Sequence, residues 1–330
     1  MRKCILCLLT IMLLVSCIQT ETSDNSDLQN VALDSISPLD ASLEPIFSLL
    51  GEPFPPKSFE GTEKQRRMQK LAAARENYDQ YPDSLEFIVW YGRRLGYLGR
   101  YREAINIYNS GIQKYPESYH LLRHRGEAFI TIRNFDQAIS DLEKAAFFAH
   151  SVKNEIEEDG QPNRLNKPLK NISFSIWYHL GLSYYLKGNF DQAISAYKKC
   201  LEASNNDDLV VATTTWLYRT YIKIGNTEEA EAILEPINGD MRLVENRAYH
   251  NILMLFKNKL TPDRIYEIAL RRDNSLDPTV GYGLGNWYVL QGMVETATET
   301  FDQVLAGNSW DSFGYIASEV ERANLASAPL

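Results

Sequence analysis

Between Ser84 and His150 apolar residues recur at three- and four-residue spacing, the period of an amphipathic helix. Two segments of this stretch superimpose at a shift of 34 residues: Gly92 falls on Gly126, Tyr101 on Phe135 and Ala104 on Ala138. Each predicts two short helices joined by a tight turn, at Leu98-Gly99-Arg100 and at Ile132-Arg133-Asn134. The same spacing runs outwards. Tyr81-Pro82 precedes Tyr115-Pro116 by 34, so Thr62 to Gln80 is expected to be the second half of a truncated repeat that caps the array. A third repeat spans Ser175 to Ala203, with Trp177, Leu180, Gly181 and Tyr184 before a turn at Gly188, then Phe190, Ala193 and Tyr197. Because Gly181 follows Gly126 by 55, residues 151–173 are an insertion, polar and centred on Asp159-Gly160-Gln161-Pro162, and are expected to form a surface loop, either a plain excursion or a lid over the groove. A fourth repeat runs from Val211 to Pro236 and a sixth begins near Pro278. The gap leaves room for a degenerate fifth at Val244 to Asp273, in which Thr261-Pro262 suits a helix start. Trp310 to Leu325 has one apolar face and a face of Glu319, Glu321 and Arg322, and is expected to be the C-terminal cap.

A 34-residue period with small residues early in the first helix, an aromatic after the turn, Ala in the second helix and a closing Tyr-Pro resembles the tetratricopeptide repeat. That resemblance implies an all-α fold, a right-handed α-solenoid of stacked helix-turn-helix repeats with capping helices, over residues 62–330. It also implies that the first helix of each repeat lines a concave groove. The sixth position of that helix is Trp90, His124, His179 and Trp216 in the first four repeats; the ninth includes Arg93, Glu127 and Arg219. Tyr97, Arg123, Tyr178, Tyr282 and Asn286 lie at neighbouring inward positions. Aromatics beside Arg can hold an extended chain through hydrogen bonds and cation-π contacts, or can pack against the next helix. The family implies binding of a protein or peptide partner without a cofactor. The basic-and-asparagine set that clamps a carboxylate terminus in chaperone-binding members is not reproduced, so that ligand is not transferred. Arg125 and Tyr218 stand where the pattern prefers an apolar residue and a glycine.

The same residues leave two other chemistries open. Groove aromatics could stack on sugar rings, which makes a glycan receptor an alternative. His120, His124 and Glu127 can share a helix face, a spacing from which metal sites are built, although the Glu-x2 core of zinc hydrolases is missing. No Gly-rich phosphate loop, Gly-x-Ser-x-Gly elbow or Cys-x2-Cys pair is present, so no enzyme is expected.

Before the repeats, Arg2 and Lys3 precede an apolar run from Ile5 to Val15, too short to span a bilayer. It ends in Leu14-Val15-Ser16-Cys17, which resembles the lipobox of bacterial lipoproteins. Residues 1–16 are therefore expected to be a cleaved signal, Cys17 to carry lipid, and residues 17–61, rich in Ser, Asp, Thr, Glu and Pro, to be a flexible linker. The expected location is the bacterial cell envelope, with attachment through the N-terminal lipid. Loss of Arg2 and Lys3 would take the net charge from −9 to −11. Such an acidic body repels phosphate, so nucleic acid is not an expected partner. Cys4 and Cys7 would leave with the signal and Cys17 would be acylated, so Cys200 has no cysteine to pair with and is expected to be a buried, inert thiol.

Overall fold

The computed structural model describes residues 44–152, 155–158 and 160–327. The expected signal segment and Cys17 lie outside the described residues. Among those residues the chain is all-helical: α1 (Gly61–Gln80), α2 (Leu85–Tyr97), α3 (Tyr101–Lys114), α4 (Tyr119–Thr131), α5 (Phe135–Phe148), α6 (Ile172–Leu186), α7 (Phe190–Ala203), α8 (Asp207–Lys223), α9 (Thr227–Leu234), α10 (Arg247–Phe256), α11 (Pro262–Ala269), α12 (Pro278–Leu290), α13 (Val294–Leu305) and α14 (Phe313–Ser327).

Local chemistry starts these helices where the repeat pattern expects them. Side chains of Ser84, Ser118, Asn134, Asn171, Asn206, Asn226 and Thr261 each accept a hydrogen bond from the backbone N–H three residues on. They satisfy donors that the first helical turn leaves free. Pro262 takes the first turn of α11, as expected for the degenerate fifth repeat. Within repeats, the glycine of the first helix sits under a large residue of the second. A Cβ on Gly92 would lie 2.2 Å from the Tyr108 ring, and one on Gly285 would lie 2.3 Å from Phe301. Gly126 over Leu142 and Gly181 over Tyr197 repeat the pairing. The two departures are absorbed differently. Arg125 donates to the buried Asp141 at 2.6 Å and to Asn109 at 2.7 Å. Tyr218, in place of the glycine, is buried with its ring 4.6 Å from that of Phe256.

Consecutive helices pack on one another, α9 and α10 excepted, and the first helices of neighbouring repeats (α2, α4, α6, α8, α10, α12) also touch one another, so they form the inner row of the stack. The buried apolar side chains form a core that runs from repeat to repeat rather than one central cluster. This is an α-solenoid capped by α1 and α14, and no described helix is long and apolar enough to cross a membrane.

Three expectations about ordering and placement change. Residues 44–60 do not behave as tether. Phe54 stacks on Trp310 at 5.0 Å, the Trp310 indole donates to the Pro55 carbonyl, Lys57 pairs with Asp311 at 2.6 Å, and Arg102 donates to the carbonyls of Glu44 and Pro45. Burial of Phe54 and Ile46 against α14 and its neighbours overcomes the polar composition of the stretch. The polar face expected for α14 also turns inward. Glu319 and Glu321 are buried, the first paired with Arg133 at 2.9 Å and the second with Lys223 at 2.7 Å. Last, the insertion ends at Asn171, which caps α6, so Ile172 and Ser173 belong to the helix.

Candidate functional site

Where the inner row is exposed depends on α14 and the insertion. α14 lies against α12 and α13 and reaches the inner face of the third and fourth repeats. Phe313 meets the rings of Tyr178 and His179 at 6.4 and 5.5 Å. Ile316 and Ala317 are fully buried in the same core. The inner residues of the C-terminal half are consequently interior. Trp216 donates through its indole to the Tyr178 hydroxyl at 2.8 Å, Tyr178 meets Tyr249, and the Tyr185 and Tyr282 hydroxyls bond at 2.7 Å. Tyr282 donates on to Glu321, and Asn286 to the Tyr282 carbonyl. The Arg219 guanidinium lies 5.1 and 4.8 Å from the rings of Trp216 and Tyr282, which stack on each other at 5.7 Å. Of the twelve groove residues expected from sequence, Tyr178, His179, Trp216, Arg219, Tyr282 and Asn286 thus build a buried polar-aromatic seam under α14. A continuous open strip is not formed.

The other six, Trp90, Arg93, Tyr97, Arg123, His124 and Glu127, come together around the first two repeats. There a cavity of about 300 Å³ opens between α2, α3 and α4 on one side and the insertion and Phe313 on the other. Tyr97, Arg93, Arg123, His124 and Glu127 line it, with Tyr101, Tyr108 and Asp311, while Trp90 stands beside it with the Arg93 and Arg94 guanidinium groups over its ring at 4.2 and 4.7 Å. Arg123 is the electrostatic centre. One of its nitrogens donates to Glu127 at 2.8 Å and lies 3.1 Å from Glu157 of the insertion, and its buried Nε has no hydrogen-bond partner.

That setting moves protonation strongly. Burial holds the His124 imidazole down to about 3, and the cation of Arg123 adds to the effect. Burial likewise holds His179 down to about 4. For Glu157 burial works the other way, but Arg123 and then His124 outweigh it and lower the carboxyl to about 2. Glu127 is also kept well below the usual carboxylate range against its burial, by Arg123 and then His179. Arg123 keeps its charge because Glu157 and Glu127 offset its desolvation. The site thus holds a paired cation and two carboxylates beside neutral imidazoles.

His120 and His124 do not converge. His120 faces Glu155 at 3.0 Å, whereas His124 faces Arg123 and the Tyr108 ring. Among the described residues no group of three ligand-type side chains is placed to hold a metal ion.

Family models for the tetratricopeptide repeat match residues 92–151 and 174–207. These two stretches of the chain are tetratricopeptide repeats. Repeats of this kind stack into extended concave surfaces of the sort used to bind other proteins. The chain's match to the BBSome complex member BBS4 of Bos taurus is 24% identical over 153 residues, 44% of this chain; it spans a quarter of that relative's length. Among solved structures it is similar to MamA, at 17% identity over 60% of this chain and 90% of that one, with a TM-score of 0.41. It is similar also to YrrB, described as a tetratricopeptide-repeat protein with an unusual peptide-binding site, at 12% identity over 77% and 98% and a TM-score of 0.41. A tetratricopeptide-repeat protein of Parabacteroides merdae matches at 13% identity over 78% and 79%, with a TM-score of 0.43.

Several residues of the repeat protein's site escape sequence reasoning. Tyr101, Tyr108 and Asp311 line the cavity and Glu157 closes it, yet none stands at an inward position of a first helix. Arg133 left a signal. It occupies the turn position where Gly99, Gly188, Gly225 and Gly292 stand in other repeats, and like them it has a positive φ, at 65°.

Proposed function

We propose that this chain is an envelope-anchored interaction scaffold, attached through lipid on Cys17, that takes a segment of a protein partner into the cavity beside α2 and α4. The observation that carries the site is the cavity itself: a concave space lined by five of the groove residues, including a buried guanidinium with a free donor. Buried donors without partners are rare in folded proteins and are costly where nothing fills them. A segment of partner backbone or a polar side chain would fill this one. Arg and aromatic residues at such a position are the usual anchors of a protein interface, where truncation often costs at least about 2 kcal/mol.

Capture from cross-linked native envelope tests the reading. Cys17→Ser should leave the membrane fraction, and Arg93→Ala with Tyr97→Ala should lose the captured partner while helical circular dichroism holds. Membrane partitioning unchanged by Cys17→Ser refutes the anchor. A partner retained by the double variant refutes the site.

A further inference from the structure

The cavity is closed on one side by a piece of the chain itself. Glu155–Glu158 crosses the inner row as an extended strand-like segment, held by Glu157 N–H to the Lys170 carbonyl at 3.0 Å and Ile172 N–H to the Glu155 carbonyl at 2.9 Å. In an extended chain alternate side chains face opposite ways, and this one follows that rule. Glu155 and Glu157 face the repeats: the first accepts from Tyr119 at 2.8 Å and faces His120, and the second meets Arg123 and Ser175. Ile156 between them points outwards with 67% of its surface exposed. The Glu158 carbonyl accepts from Arg93 at 2.6 Å. Every one of these side-chain contacts puts an acceptor of the insertion onto a donor of the first or second repeat, or of α6.

The segment is therefore seated like a ligand. Its apolar side chain is turned away from the core, so hydrophobic burial does little to hold it, and the Glu155 and His120 side chains remain about one-third exposed, where an ion pair contributes little. With the segment in place, Arg123 Nε has no hydrogen-bond partner. We propose that Glu155–Glu158 occupies the partner site from within, standing in for an extended acidic segment of a partner that carries carboxylates at alternate positions. This rests on the scaffold reading above. The partner segment displaces the insertion, places its two carboxylates at His120 and Arg123 and a backbone carbonyl at Arg93, and competes with a tethered segment whose effective concentration is on the order of millimolar.

The probe is a labelled synthetic peptide with the sequence of residues 152–161, followed by fluorescence anisotropy against the full chain. Glu155→Gln with Glu157→Gln in the protein weakens the internal occupant and should raise affinity for this peptide at least tenfold over the parent. Adding Arg123→Gln, or Arg93→Gln at the partly buried Arg93 if the first variant melts below the parent, should remove the gain. A peptide with Gln in place of Glu155 and Glu157, and Glu158 kept, should not bind. Equal binding by parent and variant, binding by neither, or equal binding of the Gln peptide overturns the proposal. An envelope partner captured equally by parent and variant, with the peptide unbound, overturns the stand-in and leaves the scaffold reading intact; no capture and no peptide binding overturns both.

Discussion

Arg133→Gly separates the needs of a local turn from those of the whole array. At this turn the other repeats use glycine, and the left-handed backbone of Arg133 costs roughly 1 to 2 kcal/mol that glycine would not. On local grounds the substitution should stabilise. The side chain, however, is 4% exposed and donates two hydrogen bonds to Glu319, itself 1% exposed, and one to the Trp310 carbonyl at 2.8 Å; its guanidinium also lies 4.4 Å from the Phe54 ring. Removing one partner of a buried ion pair typically costs about 3 to 5 kcal/mol, because the other charge is left without compensation. Burial already raises the Glu319 carboxyl despite Arg133, so little else stabilises that charge. The larger effect wins, and a net loss of about 2 kcal/mol is expected after the turn relaxes. Urea denaturation followed by circular dichroism reads the loss, and hydrogen exchange should place it in α14. Arg133→Gly with Glu319→Gln should recover part of it, since no charge is then stranded. A single variant as stable as the parent would refute the assignment of Arg133 as the clamp that holds α14 in the groove.

Acid should weaken the fold before any carboxylate of the site titrates. His124 and His179 are held to about 3 and about 4 against 6.5 when free, so below pH 6.5 the unfolded chain takes protons that the folded one refuses. Stability is full above pH 6.5 and falls by up to about 1.4 kcal/mol per pH unit for each group as pH drops towards 4. Glu157 and Glu127, whose carboxyls are depressed, add a further loss below about pH 4.5; a denaturation midpoint that stays flat from pH 8 to 5 would contradict the burial of both imidazoles. Gly92→Ala should cost about 1 to 3 kcal/mol because its Cβ would overlap the buried Tyr108 ring, and a thermal melt equal to the parent's would put the repeat register in error. Cys200 is fully buried, its thiol pushed up by that burial and 3.2 Å from the Thr213 hydroxyl, so a thiol reagent should label it only after denaturation, as mass spectrometry of the modified peptide would show.

The repeats themselves were legible because every rule that builds them is local. A 34-residue period, a glycine that must admit a neighbouring ring, a capping Ser or Asn and a proline at a helix start each act within one or two helices, and each can be read from spacing alone. The same spacing pointed to the insertion and the N-terminal capping helix, and an amphipathic face pointed to the C-terminal one. What the period could not carry was where those non-repeating pieces come to rest. An amphipathic pattern says that α14 has a face to bury, not which surface receives it, and Glu319 and Glu321 look like a solvated face until Arg133 and Lys223 meet them from distant repeats. The same holds for Phe54 on Trp310 and for Glu157 on Arg123, contacts between segments that share no periodic relation. Once α14 filled the inner face of the later repeats, Trp216 and Tyr282 became core while Arg93 and Tyr97 kept a cavity, though all four sit at inward positions by sequence. Repeat identity fixes which way a side chain points; only the packing of the non-repeating segments decides whether that direction leads to solvent, to a cavity or to another part of the chain.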